Sequence, residues 1–388
     1  MTAILAILLA PFAVLTAFFL VEVLVGLRRK VRAGGQAPPA SAIIVVPAHD
    51  EAAVIGETLQ ALSEALGPGM RVLVVADNCT DSTVALARSA GAEVIERHDL
   101  DRRGKGFALS FAADHLRPDP PDVFVVMDAD CSTDPSSLRS LIHAAYMSRR
   151  PAQSVNLLRP DRHAPPLVQL SNFAFVLKNL VRQRGLQTLA GRVHLTGTGM
   201  AMPFKLFHVS GATRSSIVED LALGLDLADA GHPPMLVGNA FVWSGSASEQ
   251  GTLVQRRRWE GGFLSTALRQ GPKEAWHGLR RGKPRAILAG LDLMIPPLAL
   301  FALLNMAALT VAAALLLAFG GAWWPVIAQL ILLLLAMIAV FVAWIREGRE
   351  FISLGVLVRL PLYVIWKLPM YLGLARRGTP KEWLRTGR

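Results

Sequence analysis

Val123-Phe124-Val125-Val126-Met127-Asp128-Ala129-Asp130 carries an unbroken apolar run straight into two carboxylates separated by one alanine. A continuous apolar run this short reads as a buried strand. With a single residue between them in extended chain, Asp128 and Asp130 leave the sheet near the same exit and can share one divalent cation. Without a ligand the two charges repel. Two surface acids at the end of a strand would have the same spelling, so the neighbouring sequence has to decide.

Upstream, short apolar runs alternate with helical patterns. Ala42 to Pro47, Val72 to Ala76 and Ala92 to Glu96 read as strands, and Ala53 to Leu66, Ser82 to Ala90 and Lys105 to Leu116 as the helices between them. Such alternation predicts an α/β domain with a mostly parallel central sheet, whose ligands bind beyond the carboxyl ends of the strands. The acidic motifs stand at those ends. Val45-Val46-Pro47-Ala48-His49-Asp50-Glu51 closes the first strand and opens a helix, so Pro47, His49 and Glu51 border the crevice. The second strand closes on Asp77-Asn78-Cys79-Thr80-Asp81-Ser82-Thr83. Asp77 can bond a ribose or a base, whereas Asp81 or Ser82 caps the next helix. Gly104-Lys105-Gly106 opens the third helix, where Lys105 either neutralises phosphate or is simply solvated.

Further along, Glu219-Asp220 precedes the amphipathic stretch Leu221 to Ala230. The helix dipole there favours the ionised carboxylate, which can accept a hydroxyl proton or merely cap the helix. Gln255-Arg256-Arg257-Arg258-Trp259 is the most informative string, because Gln255, Arg258 and Trp259 share one helical face at i, i+3 and i+4. That face offers an amide, a guanidinium for phosphate and an indole on which a sugar ring can stack, with Arg256 and Arg257 turned toward lipid headgroups.

The flanks of the 388-residue chain point to a bilayer. Hydrophobic residues make up 52% of it and its mean hydropathy is positive. Ala3 to Leu27 is apolar apart from Thr16 and Glu22, long enough for a hydrocarbon core of about 30 Å, and Arg28, Arg29, Lys30 and Arg32 follow. By the positive-inside rule those charges stay cytosolic. Residues 1–32 thus form a membrane helix with its basic flank, 33–41 a linker, 42–285 a cytosolic domain, and 286–345 an out-and-back hairpin turning at Gly320, Gly321 and Ala322. Residues 346–388 hold a third apolar segment, Phe351 to Leu374, broken by Arg359, Pro361, Lys367 and Pro369, and then a basic tail. If that segment lies in the interface or re-enters, the tail stays cytosolic; if it spans, the charge rule is violated.

Formal charge is +11, from 40 Lys and Arg against 29 Asp and Glu, which suits a membrane surface or a phosphorylated substrate. Nucleic acid is disfavoured as a partner, since no binding module is present and much of the basic excess flanks apolar spans. Cys79 and Cys131 form no metal-ligand pattern and read as buried filler.

In order and spacing, this series of motifs resembles the membrane-bound family-2 glycosyltransferases, the group containing cellulose, hyaluronan and chitin-oligosaccharide synthases. The resemblance covers about Ala42 to Trp259. It implies a GT-A fold, a UDP-sugar donor, Mg2+ or Mn2+, and inversion at the anomeric carbon. By that likeness Asp77 holds the uridine, Asp128 and Asp130 the diphosphate and metal, and Asp220 is the base. Gln255, Arg258 and Trp259 match the QxxRW string that binds acceptor sugar and diphosphate, beside Glu219 and the loop Thr196-Gly197-Thr198-Gly199-Met200. The tail Trp383-Leu384-Arg385-Thr386 matches a tryptophan segment that folds over the site. The likeness also implies a multi-pass protein of the bacterial inner membrane acting on a saccharide or lipid-linked acceptor in polysaccharide or glycolipid synthesis, alongside membrane lipids and polysaccharide-assembly or export proteins. Two departures occur: Asn78-Cys79 follows Asp77 where many relatives have glycine, and Val218 stands where threonine often precedes Glu-Asp. The competing expectation is a catalytically silent subunit that binds a nucleotide sugar or scaffolds an export complex.

Overall fold

The computed structural model describes residues 1–28, 41–207, 218–245 and 249–377, except for the side chains of 249–258, 375 and 377. Its first element is the apolar helix α1 (Thr2–Gly26). Then come β1 (Ala42–Ala48), α2 (Ile55–Ala65), β2 (Met70–Asp77), α3 (Thr83–Ser89), β3 (Glu93–Arg97), α4 (Lys105–Leu116) and β4 (Val123–Val126). Each strand and helix expected in this stretch is present, with ends shifted by a residue or two.

β1 runs parallel to β2 and β4, and β2 parallel to β3. Ile43, Ile44, Val45 and Val46 are all fully buried. The reason is that both faces are covered: Ile44 and Val46 pack with Leu59 and Leu62 of α2, Ile43 and Val45 with Leu109 and Leu116 of α4. Burial on both faces explains why the run shows no alternation. Each such side chain contributes about 1.5–3 kcal/mol.

The sheet continues through β5 (Cys131–Thr133), β6 (Ala152–Leu158), β7 (Met200–Pro203) and β8 (Met235–Ser244). Strand order is β3-β2-β1-β4-β7-β6-β8-β5. β7 is antiparallel to both β4 and β6, and β5 to β8. Between β5 and β6 lies α5 (Pro135–Ser148), capped by Asp134, whose side chain accepts from the Ser136 and Ser137 amides at 2.9 and 3.0 Å. Because the chain winds outward in both directions from β1 and β4, the crevice beyond their carboxyl ends is the place where a ligand can enter.

The remaining helices carry the domain onto the apolar ends. α6 (Pro166–Val176) passes through a π-helical turn, Leu177–Arg182, into α7 (Gln183–Ala190). α8 (Glu219–Asp229) precedes β8, and α9 (Glu249–Arg280) packs along α10 (Pro284–Met294). α11 (Leu298–Phe319) and α12 (Trp324–Ala343, extended by a π-turn to Gly348) form the hairpin, followed by the short helices α13 (Leu354–Leu357), α14 (Leu360–Trp366) and α15 (Leu368–Arg377).

Among the described residues three helices are long and apolar enough to cross a membrane: α1, α11 and α12 with its extension. The apolar run from Ile287 to Phe319 divides in two at Ile295-Pro296-Pro297. Proline cannot donate to a helix and forces the residue before it out of the α region, so Ile295 is extended with ψ 111°. None of α13, α14 and α15 is long enough to span.

Polar side chains join the three long helices. Gln329 Nε2 donates to Asn305 Oδ1 at 2.7 Å and to Thr16 Oγ1 at 3.2 Å. Closer to the sheet domain, α1 crosses α7 with backbones almost touching: a Cβ on Gly185 would lie 2.2 Å from the Glu22 carbonyl oxygen. At this crossing Arg182 bonds Glu22 at 2.6 Å and Asp292 at 2.5 Å, and Asp292 also meets His194 at 2.5 Å. One buried ionic cluster therefore ties α1, the π-turn and α10 together.

Candidate active site

One continuous cavity of about 1810 Å³ opens at the carboxyl ends of β1, β2 and β4. Its polar end is lined by Pro47, His49, Glu51, Asp77, Lys105, Asp128, Asp130, Gly197, Glu219, Asp220 and Trp259. Residues up to 212 positions apart in sequence, from Pro47 to Trp259, thus line one cavity.

The loops after β1 and β2 are held by two residues in the left-handed region, Asp50 and Asn78, each with φ 53°. Asp and Asn tolerate that region better than other side chains because their short polar groups bond locally. Asp50 accepts from the Thr80 amide at 2.6 Å and the Asp81 amide at 3.2 Å, which staples the two loops together. The Thr80 amide, acting against burial, holds the Asp50 carboxyl below its usual range. Asn78 donates to Asp77 Oδ1 at 3.0 Å and accepts from the Asp99 amide at 2.8 Å. Its conformation explains how this chain manages without a glycine after Asp77. Asp77 also takes a bond from Arg97 at 2.6 Å, and its carbonyl accepts from His49 Nδ1 at 2.6 Å.

Asp128 follows β4, and the turn after it is anchored where Thr58 Oγ1 donates to the Ala129 carbonyl at 2.7 Å. Lys105 bonds Asp128 and donates to the Gly197 carbonyl at 2.7 Å. Burial alone would lower the lysine's pKa, but Asp128, Glu219 and Asp220 together raise it, so the ammonium is firmly charged. Ligand atoms of Asp128, Asp130 and Cys131 lie within 4.8 Å of one another. The two carboxylates suit a hard cation such as Mg2+ or Mn2+. Burial, reinforced by Asp130 and Asp128, raises the Cys131 pKa, which disfavours the thiolate that a soft metal would need.

Glu219 and Asp220 occupy the first turn of α8, whose N-cap residue, Val218, makes no side-chain cap bond. Burial raises the Asp220 pKa, opposed chiefly by the Leu221 amide, which donates to it at 2.8 Å, and by Lys105 and Lys178. Desolvation thus works against the helix dipole, which favours the ionised carboxylate. Burial and then the charge of Asp220 push Glu219 up to about 7.

The loop carrying Gly197 and Gly199 is shaped by Gln153, a fully buried side chain. It accepts from the Thr196 amide at 2.9 Å and donates to the Thr198 carbonyl at 2.9 Å. Gly199 lies behind the cavity wall at φ 61°, and a Cβ there would come within 1.9 Å of Ser154 Oγ. We expect Gly199→Ala to lower stability by about 1–3 kcal/mol through overpacking. Denaturant unfolding of the two proteins side by side checks this, and an unchanged midpoint counts against it.

Trp259 stacks on Phe175 with ring centroids 5.8 Å apart. The next residue, Glu260, is buried, bonds Lys367 and accepts from Tyr371 Oη at 2.7 Å. Trp259 is therefore positioned from the far end of the chain. Lys178 rises from the π-turn into the cavity and sits 5.5 Å from the Phe263 ring centroid. Sequence reading missed Gln153, Arg97, Lys178 and Glu260. A lysine inside an apolar segment, Lys367, was the signal available for the last of these. The backbone of Gln255 and Arg258 is helical in α9, but their side chains, and Trp383, lie outside the described residues.

A family profile described as glycosyltransferase-like family 2 matches residues 38–262, more than half of the chain. The chain belongs to this glycosyltransferase family. Among solved structures, the mannosyltransferase PcManGT of Pyrobaculum calidifontis, in complex with GDP-Man and Mn2+, is similar at 17% identity. Its TM-score is 0.56, over 95% of this chain and 98% of that one. Glucosyl-3-phosphoglycerate synthase of Mycobacterium tuberculosis, bound to Mn2+, UDP and phosphoglyceric acid, is 19% identical with TM-score 0.38, over 61% of this chain and 84% of that one. No curated protein sequence matches. The fold is that of GT-A glycosyltransferases, with a mostly parallel sheet and long apolar helices at both ends.

Proposed function

We propose that this protein is an inverting glycosyltransferase of a membrane surface, moving a hexosyl or N-acetylhexosaminyl group from a UDP-sugar onto a saccharide or lipid-linked hydroxyl. The observation that carries the reading is the meeting of Asp128, Asp130, Asp220 and Trp259 around one cavity. In this reading Asp77 and the loops after β1 and β2 take the nucleoside, and Asp128 and Asp130 hold Mg2+ or Mn2+. When bound, that cation supplies Lewis-acid charge which lowers the cost of negative charge gathering on the departing diphosphate. Lys105, kept charged among three carboxylates, faces the same group. Asp220 accepts the acceptor's proton as its oxygen attacks, and Trp259 orients the acceptor. Gln255 and Arg258, on the same helix as Trp259, are assigned to acceptor and diphosphate, and Trp383 to covering the site. The basic residues after α1 support a catalytic domain on the cytosolic face of a bacterial inner membrane.

The test is release of nucleoside diphosphate from a panel of UDP-sugars and GDP-mannose, with and without membrane lipid extract. Release dependent on a UDP-sugar and acceptor supports the reading. Binding without turnover across the panel would leave a silent subunit instead.

The raised pKa of Asp220 sets a pH limit. The base must be ionised, so the acidic limb of kcat/KM lies above the ordinary aspartate value of about 3.9. Lys178 favours the ionised form, and Lys178→Met moves that limb to higher pH. A pH profile in which the limb stays still removes Lys178 from the environment of the base.

A further inference from the structure

The cavity does not stop at the catalytic carboxylates. From Trp259 and Lys178 it continues between α11, α12 and α14, past Ala302, Met306, Met337, Val340, Tyr363 and Val364. Ligand pockets for small molecules usually measure about 300–1,000 Å³. At about 1810 Å³ this one has room for a second occupant beside a nucleotide sugar. The extra part has apolar walls. It follows α11 from Leu298 to Met306, about 12 Å at a rise of about 1.5 Å per residue, toward the middle of the hydrocarbon layer. Its rim is open sideways, with Met306 58%, Met337 62% and Phe341 43% exposed on helices long enough to span.

We infer that the acceptor is a lipid carrying a hydroxyl head group, with a hydrocarbon chain lying in this gallery and the hydroxyl delivered to Asp220. The inference rests on the glycosyltransferase reading and names its acceptor class. Continuity is the argument: a hydrocarbon chain seated along α11 and α12 leaves its head group at Trp259, Lys178 and Asp220, where the cavity turns polar. A soluble saccharide would gain nothing from apolar walls at that depth. The presence of a carboxylate base favours a hydroxyl over a phosphate acceptor, because a phosphate is already ionised and needs no proton removed. In the step, the acceptor oxygen bonds the anomeric carbon and the bond from that carbon to the diphosphate oxygen breaks. UDP departs with the electron pair, and the hydroxyl proton passes to Asp220.

The full-length protein in nanodiscs is irradiated with diacylglycerol bearing a diazirine in its acyl chain, and the labelled peptides are mapped. Independently, transfer of radiolabelled sugar to diacylglycerol, ceramide, polyprenyl phosphate and a short soluble saccharide is measured. Labelling on the segments around Met306, Met337 and Val364, and product extractable into organic solvent from a hydroxyl lipid, are expected. Ala302→Trp and Val340→Trp should each raise the lipid KM at least tenfold while leaving UDP–Mn2+ binding as in the wild type. The inference is overturned by labelling confined to outward faces, by both tryptophan variants using lipid normally, or by preference for the saccharide or the phosphate. Absence of UDP–Mn2+ binding would count against the glycosyltransferase reading, whereas misplaced labelling counts only against the gallery.

Discussion

Asp220→Asn should lower kcat by about 10²–10⁴, the range that a positioned general base contributes. Asparagine keeps the shape and the contact with the Leu221 amide but cannot take a proton. Donor binding should survive, because the nucleoside and diphosphate are assigned to Asp77, Asp128 and Asp130 on other elements. The pairing of lost turnover with retained UDP–Mn2+ affinity, read by isothermal titration and by single-turnover transfer, distinguishes a base from a residue that merely holds the loop. Gly197 backs directly onto this carboxylate, with a Cβ there falling 3.2 Å from Asp220 Oδ2, so a bulkier replacement than asparagine would disturb both. Turnover near the wild-type rate would transfer the role of base to another group, and Glu219, pushed up to about 7, would be the next to test.

Arg182→Met is expected to cost about 3–5 kcal/mol of stability, because it removes the cation and strands the buried carboxylates of Glu22 and Asp292. The loss falls where α1 meets the catalytic domain, with Gly185 and Gly26 allowing the backbones too close for water to enter. Thermal unfolding in detergent measures it. Adding Glu22→Gln to the same protein should recover part of the loss, since the stranded charge is then gone, and the double-mutant comparison isolates the pair. If the single variant melts with the wild type, the cluster is not what fastens α1 to the domain. Arg182 and His194 also line the cavity, so a loosened cluster should raise the KM for acceptor before kcat falls.

Much of this molecule was legible along the chain because its determinants are local. Val123 to Val126 reads as a buried strand from its own apolar run, and Asp128 and Asp130 follow directly behind it. The length and polarity of α1 follow from composition alone, as does the spacing of Gln255, Arg258 and Trp259 on one helical turn. The proline pair at 296 and 297 was visible too, yet its consequence was not read from the run of apolar letters. A break there turns one span into an amphipathic helix against α9 and a separate membrane-length helix.

Other features depended on which distant residues meet. Nothing near Trp259 in sequence announces that Glu260 is held by Lys367 and Tyr371, over a hundred residues later. Gln153 reads as an ordinary strand residue until the loop at 196–199 is laid across it. Asn78 looked like a departure from the pattern, and only its backbone angle reveals a substitute for glycine. The apolar gallery is likewise invisible in one dimension, because hydropathy reports that α11, α12 and α14 avoid water and not that a gap remains between them. The sequence by itself determined the parallel strands β1 to β4, the carboxylates at their edge and the apolar helices, since each rests on short-range periodicity and burial, whereas β5 to β8 were not read from it. Tertiary packing alone decided that the polar cleft and the apolar gallery are one space, because a cavity is a property of surfaces that fail to touch.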